Sequence, residues 1–375
     1  MSGIYIHIPF CKRACHYCNF HFSTTLGSQA SMIDCLVKEI ETLSADFQET
    51  IQPVETIYFG GGTPSLLSFK ELNIIMKAVY KNFKVSSTAE VTFEVNPDDV
   101  SDLKIEQWKN VGINRLSLGV QSFYEEDLQW MNRAHNAAQS IASIDLIKQH
   151  FNNFSIDLIY GTPGLSDIKW KSNVEKAIGL KIPHLSCYAL TVEPATALYK
   201  MIEKKTVQDV NPEQQANQFL LLMQWLGDAG YEHYEISNFA LPGYRSRHNS
   251  NYWSGNSYIG IGPSAHSFFG TVRRWNISNN ALYMQSIKNN SIPYESEELD
   301  EIKQFNEYIM TALRTSEGVQ LDILKSRFGN DKAADFLYKS QRYLVDRRMN
   351  KVGNALLLTN RGKLYADGIS ADLFV

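Results

Sequence analysis

Short apolar runs and amphipathic stretches take turns along most of this chain. Ile4 to Ile8, Glu55 to Phe59, Glu90 to Val95, Arg115 to Val120, Phe154 to Ile159 and Leu185 to Leu190 read as strands. Between them, residues 31–43, 69–83, 137–150 and 170–180 carry apolar positions at helical spacing. In the first of these, Ile33, Leu36, Val37, Ile40 and Leu43 share a face, with Lys38, Glu39 and Glu41 opposite. Strand and helix alternating in this way predict an α/β fold with a parallel sheet and right-handed crossovers. A partial (β/α)6, TIM-like barrel is the favoured form, with an open doubly wound sheet as the alternative.

The pattern changes after the sixth strand. Residues 212–229 form an amphipathic helix, Tyr231 to Phe239 reads as one more strand, and 243–253 reads as a loop. From about Ser286 a separate unit is expected: helices over 301–314, 321–328 and 333–346, then a short strand over 355–359. Three helices and a β wing suggest a small winged-helix-like α+β domain at 286–375, behind a barrel at 1–285.

Candidate chemistry gathers where the strands stop, which is where barrel folds place it. The first strand empties into a loop with Cys11, Cys15 and Cys18, and Tyr17 stands before the last thiol. A zinc site needs a fourth ligand, for which His16 and His21 are the local candidates. Three thiolates alone suit a [4Fe-4S] cluster better, because they leave one iron open to a substrate or cofactor. The second strand stops at Gly60-Gly61-Gly62-Thr63-Pro64, where glycines let the backbone approach a ligand. Glu94, Gln121 and Asp157 sit at or near later strand ends, and Arg133 follows the fourth. Carboxylates accept from ribose hydroxyls or an ammonium, and a guanidinium grips a carboxylate.

Composition narrows the setting. Lys+Arg 36 against Asp+Glu 40 gives a net charge of −4, which offers no general attraction for nucleic acid or anionic lipid. The basic residues Arg342, Arg347, Arg348 and Lys351 are read as a solvated face rather than a DNA contact. No apolar run is long enough for a membrane span, and five cysteines, an odd count, argue against a disulfide framework. A cytoplasmic, reducing location is expected.

The 243–253 stretch is dense in aromatic and donor groups. His248 has the chemistry of a haem-iron ligand, Tyr252 and Trp253 that of stacking walls, and Arg245 or Arg247 that of propionate partners. A packed, hydrogen-bonded histidine is the competing reading.

Taken together, Tyr5-Ile6-His7-Ile8-Pro9-Phe10-Cys11, Gly60-Gly61-Gly62-Thr63-Pro64, Glu94-Val95-Asn96-Pro97, Gly119-Val120-Gln121-Ser122-Phe123 and Asp157-Leu158-Ile159-Tyr160-Gly161 resemble the oxygen-independent coproporphyrinogen III oxidase family of radical S-adenosylmethionine (SAM) enzymes. The resemblance runs over essentially the whole chain. It implies a radical SAM barrel, a [4Fe-4S] cluster on Cys11, Cys15 and Cys18, and SAM at Tyr5, Tyr17, Gly61, Gly62, Thr63, Glu94, Gln121, Arg133 and Asp157, with Ala189 and His266 as further matches. Two departures bear on the subfamily. Asn19-Phe20 stands where the oxidases continue to a fourth Cys, and four residues precede Tyr5 where they carry a longer extension. Instead, His248-Asn249-Ser250-Asn251-Tyr252-Trp253 is similar to the H-N-x-x-Y-W motif of HemW-type haem chaperones. That likeness implies haem at His248, Asn249, Tyr252 and Trp253, delivery to acceptor haemoproteins such as membrane-associated respiratory enzymes, an electron donor for the cluster and no nucleic-acid partner. Oxidative decarboxylation of a porphyrinogen propionate is the alternative.

Overall fold

In the computed structural model, which describes residues 2–47 and 53–375, the six expected strands all form and stand side by side. They are β1 (Ser2–Ile8), β2 (Val54–Gly61), β3 (Val85–Val95), β4 (Arg115–Gln121), β5 (Phe154–Tyr160) and β6 (His184–Ala189). Each pairs parallel with the next in register, as in Ile6 with Phe59 and Phe93 with Leu116. The helical stretches between them begin on side-chain caps. Ser68 and Glu71 form a reciprocal capping box at Phe69–Asn82, and Asn136 and Gln139 form another at Ala137–His150.

The alternation of side chains along the strands decides where the core lies. Ile4, Ile6 and Ile8 on β1, Ile57 and Phe59 on β2, Leu116 and Leu118 on β4, and Ile156 and Leu158 on β5 are fully buried in one apolar cluster with helix residues such as Leu36, Ile75 and Trp170. Each such side chain contributes roughly 1.5–3 kcal/mol through removal from water. The opposite positions are Gly3, Tyr5 and His7, then Thr56 and Tyr58, Thr92 and Glu94, Arg115 and Ser117, Ser155 and Asp157, and His184 and Ser186. The inward face of the sheet is therefore a polar lumen, and the apolar core sits between sheet and helices.

Beyond the parallel strands the sheet continues at both edges. β7 (Glu232–Glu235) and β8 (Asn238–Ala240) form an antiparallel hairpin beside β6, where the sequence suggested one strand over 231–239. At the other edge β9 (Tyr258–Ile261) lies parallel to β1, and β10 (His266–Phe269), β11 (Val272–Asn276) and β12 (Tyr294–Glu298) follow antiparallel. Among the described residues the sheet has twelve strands in the order β12-β11-β10-β9-β1-β2-β3-β4-β5-β6-β8-β7, and its ends do not pair. The barrel is partial.

Residues 247–253, expected as a loop, form the helix Arg247–Trp253, capped by Ser246 and lying across the amino ends of β1 to β3. β12 still extends the large sheet although it lies past residue 286, and the second apolar cluster starts at Phe305. That cluster joins Ile309, Leu324 and Phe336 of three helices with Leu356 of a small sheet, β13 (Val319–Gln320), β15 (Ala355–Leu358) and β14 (Met349–Val352) in spatial order. This is the winged-helix-like α+β arrangement. It is fastened to the barrel by Ser316 N–H donating to Tyr234 O at 3.0 Å and by Arg245 bridging Glu232 and Glu317 at 2.9 and 2.8 Å.

Candidate functional site

The carboxyl ends of β1 to β6 surround a cavity of about 430 Å³. Cys11, Cys15 and Cys18 all line it, as do Tyr17, Gly61, Gly62, Thr63, Glu94, Gln121, Arg133, Asp157 and Ala189. The cysteine loop is held in place from three sides. Cys11 N–H donates to Ser23 O at 3.0 Å, His16 Nδ1 bonds Trp130 O at 2.7 Å, and His21 Nε2 bonds Asn280 Oδ1 at 2.7 Å. His16 and His21 thus anchor the loop and do not line the cavity, which removes both as a fourth ligand for zinc. Among the described residues, no three His, Cys, Asp or Glu side chains close on a single-ion position.

The thiols meet donors. Thr63 Oγ1 donates to Cys11 Sγ and Arg133 Nη1 to Cys15 Sγ, each at 3.4 Å. Burial pushes the Cys11 thiol up to about 11, so it surrenders its proton only to a strong competitor such as a metal. A donor set of three clustered thiols with a fixed cation beside them fits an iron-sulfur cluster, whose sulfur ligands are stabilised by such hydrogen bonds.

Arg133 is itself clamped by neutral acceptors. Its Nη2 donates to Asn96 Oδ1 at 2.7 Å and to Gly119 O at 2.9 Å, while its buried Nε has no partner. A buried guanidinium without a carboxylate, facing a cavity, is suited to a ligand's anionic group. Gly62 shows why this loop is glycine: a Cβ there would stand 2.6 Å from Phe10 O and 2.8 Å from Ile8 O, where β2 crosses the start of the cysteine loop. Gln121 ends β4 at φ 69°, a left-handed backbone uncommon for any residue but Gly or Asn, and so turns its amide into the cavity.

Glu94 and Asp157 face each other's field. Burial pushes the Glu94 carboxyl up to about 7, with Asp157 adding repulsion against the Tyr58 hydroxyl that donates to Glu94 Oε1 at 2.7 Å. Burial likewise raises Asp157 to about 6. Two carboxyls poised near neutrality in one wall mark a site that receives a cationic or hydroxyl-rich partner.

Two expected SAM residues stand elsewhere. Tyr5 lies behind the wall, its hydroxyl 3.2 Å from His7 Nδ1 and its ring against Tyr58 at 6.1 Å, and it does not line the cavity. His266 starts β10 and packs against Trp275 at 6.2 Å, also away from the lining. Asn96 and Ser117 are lining residues that sequence reasoning left out of the site. Strand alternation carried the signal, since Asn96 is two positions from Glu94 and Ser117 four from Gln121.

The H-N-x-x-Y-W residues lie toward the other end of the barrel. A second cavity of about 530 Å³ opens between the helix Arg247–Trp253, β9 and β10, and the C-terminal unit. Tyr252, Trp253, Tyr258, Phe268 and Tyr308 supply aromatic walls, and Arg245 and Arg327 supply cations. Asn249 is half-buried and does not line this cavity, and Arg247 is turned to Thr88 O at 2.7 Å and to Glu55. His248 is 2 % exposed. One ring nitrogen meets Thr56 Oγ1 at 2.8 Å and the other Tyr252 Oη at 3.0 Å, while the ring stacks on Tyr58 at 5.0 Å. Burial, with Arg115 nearby, pushes it down to about 3, so it is neutral. Both nitrogens are engaged, and in this arrangement His248 supports Tyr252.

Comparison with known proteins follows the same lines. The model of the radical SAM superfamily matches residues 5–177. The chain is 33 % identical to heme chaperone HemW of Bacillus subtilis over 98 % of both chains, and 35 % identical to heme chaperone HemW of Lactococcus lactis over 87 % of this chain and 85 % of that one. In structure it is similar to coproporphyrinogen III oxidase (HemN) of Escherichia coli, with a TM-score of 0.86 and 21 % identity over 100 % of this chain and 90 % of that one.

Proposed function

The chain belongs to the HemW-type haem chaperone family within the radical SAM superfamily, and on that premise we propose that it binds haem and passes it to acceptor haemoproteins. The observation that carries this reading is the pair Tyr252 and Trp253 on the wall of an aromatic cavity separate from the cysteine cavity. Flat macrocycles are held mainly by apolar and stacking contact, with a few polar groups fixing orientation. Tyr252, Trp253, Tyr258 and Phe268 provide the first, and Arg327, at the same cavity, is suited to a propionate, whereas Arg245 is engaged by Glu232 and Glu317. His248 positions Tyr252 from behind, and Asn249 belongs to the helix that carries both aromatics.

Cys11, Cys15 and Cys18 would hold a [4Fe-4S] cluster, with Thr63 and Arg133 donating to sulfur. Bound there, the cluster supplies one-electron chemistry and an open iron position, fed by an external electron donor. SAM would occupy the rest of that cavity. Glu94 and Asp157 would accept from its ammonium or ribose, Arg133 would meet its carboxylate, Gly61, Gly62 and Gln121 would offer backbone and amide contacts, and Tyr17 and Ala189 would line it. The acceptors, respiratory haemoproteins among them, lie beyond the molecule itself. No helix among the described residues is long and apolar enough to cross a membrane.

Haem titration of the cluster-loaded protein tests the site. Tyr252→Ala with Trp253→Ala should weaken haem affinity by at least about tenfold, the scale of losing two stacking walls, while the cluster spectrum stays unchanged. Unaltered affinity in the double variant would move haem elsewhere.

A further inference from the structure

Below the floor of the cysteine cavity the lumen holds a cation whose fork has no hydrogen-bond acceptor among the described residues, although its charge reaches the Asp157 carboxyl. Arg115 is 1 % exposed, at the start of β4 and inward-facing like Ser117 two residues on. Its Nε and Nη2 donors find no acceptor. These two groups form the side edge of the guanidinium, the planar fork that matches the two oxygens of a carboxylate. Around it lie further unmet polar atoms. Thr92, its register partner on β3, has a buried hydroxyl without a partner, and His184 on β6 leaves Nδ1 unpaired while its Nε2 bonds Tyr234 Oη at 2.8 Å.

The lumen's own carboxylates make their hydrogen bonds to other donors, and Asp157 feels the Arg115 charge without pairing its fork. Glu90 accepts from Ser246 Oγ at 3.4 Å, Arg247 N–H at 3.2 Å and His248 N–H at 3.1 Å. Glu235 accepts from Asn238 Nδ2, and Asp157 accepts from Ser186 and Ser117. Buried donors in native proteins are almost always satisfied.

We propose that Arg115, with Thr92 and His184, forms a carboxylate-binding site inside the barrel lumen, beneath the cysteine cavity. The cysteine cavity is the nearest described opening. Ser117 and Asp157 line that cavity, Ser155 Oγ donates to Ser117 Oγ at 2.9 Å, and Arg115 lies about 7 Å further down the strand at the rise of an extended chain. The carboxylate comes either from a free small acid or from an arm of whatever fills the cavity. A carboxylate seated on the side fork would also meet the Thr92 hydroxyl as donor, and Tyr234 and His248 both lie within reach of the Arg115 charge.

Two titrations on the full, cluster-loaded chain test the site. In the first, thermal unfolding is followed in sodium formate against sodium chloride at matched ionic strength. A free acid predicts a formate-specific rise in Tm that disappears in Arg115→Met and in Arg115→Lys, which keeps the charge and loses the fork. In the second, SAM and 5′-methylthioadenosine, which lacks the carboxylate, are titrated into wild type and Arg115→Met. A ligand-borne arm predicts a loss of about tenfold or more for SAM alone, which would reassign the SAM carboxylate from Arg133 to Arg115. Thr92→Val reports on the same site with the cation in place. A formate response unchanged in both arginine variants, or no formate response together with equal SAM affinities, overturns the proposal.

Discussion

At the scale of single residues, the cysteines divide by place rather than by type. Cys11, Cys15 and Cys18 face a cavity, whereas Cys35 and Cys187 are buried in the apolar core. Serine at any of the first three should abolish the broad visible absorbance of the iron-sulfur chromophore, and serine at Cys35 or Cys187 should preserve it. Absorption spectra of the five reconstituted variants check this. Glu94 gives a pH signature. Its ordinary value of 4.5 is raised to about 7 on folding, so between those limits the folded chain holds more protons than the unfolded one. Its contribution to stability therefore falls as pH rises across that window. The carboxylate that accepts an ammonium is the ionised form, so SAM affinity should climb as pH passes 7. Glu94→Gln should weaken SAM binding and flatten that climb, which isothermal titration at several pH values will show.

At the scale of elements, the six parallel strands were legible, while the later edge strands β9 to β11 and the helix Arg247–Trp253 that plugs the amino ends were not. Alternation of Ile4, Ile6 and Ile8 with Gly3, Tyr5 and His7 marks a strand buried on both faces, and the structure places polar lumen on one side and helices on the other. Residues 247–253 carry Arg, His, Asn and Ser where a helix normally shows an apolar stripe, because this helix packs on a polar lumen. Helical periodicity in hydrophobicity had nothing to detect. β12, Tyr-Glu-Ser-Glu-Glu, escaped for a related reason: it is an exposed edge strand whose charges discourage further pairing. The plug is fixed by Glu90, whose carboxylate accepts from Ser246 and from the amides of Arg247 and His248. Glu90→Ala should reduce stability by about 2 kcal/mol, the penalty of leaving buried donors unmet. Urea unfolding measures it, and the cluster spectrum should not change.

At the scale of the whole molecule, one barrel carries two cavities with different chemistry. The cysteine cavity at the carboxyl ends follows from where motifs fall on strands, and most of its wall was legible residue by residue. The second cavity was legible only as a motif. Its shape depends on Tyr258 and Phe268 from one edge of the sheet and on Tyr308 and Arg327 from the C-terminal unit, residues far apart in sequence that no local pattern connects. The same distance hides the surroundings of His248: nothing near it in sequence announces Thr56 or Tyr58, which meet its ring in the fold. The central claim is that this second cavity serves haem delivery. Its most direct test follows transfer of haem from the cluster-loaded protein to an apo-form b-type cytochrome by the acceptor's visible spectrum, with a porphyrinogen decarboxylation assay on the same preparation. Wild type should load the cytochrome, Tyr252→Ala with Trp253→Ala should not, and neither should decarboxylate coproporphyrinogen. Equal loading by both proteins, or porphyrinogen turnover by the wild type without haem transfer, would contradict the account.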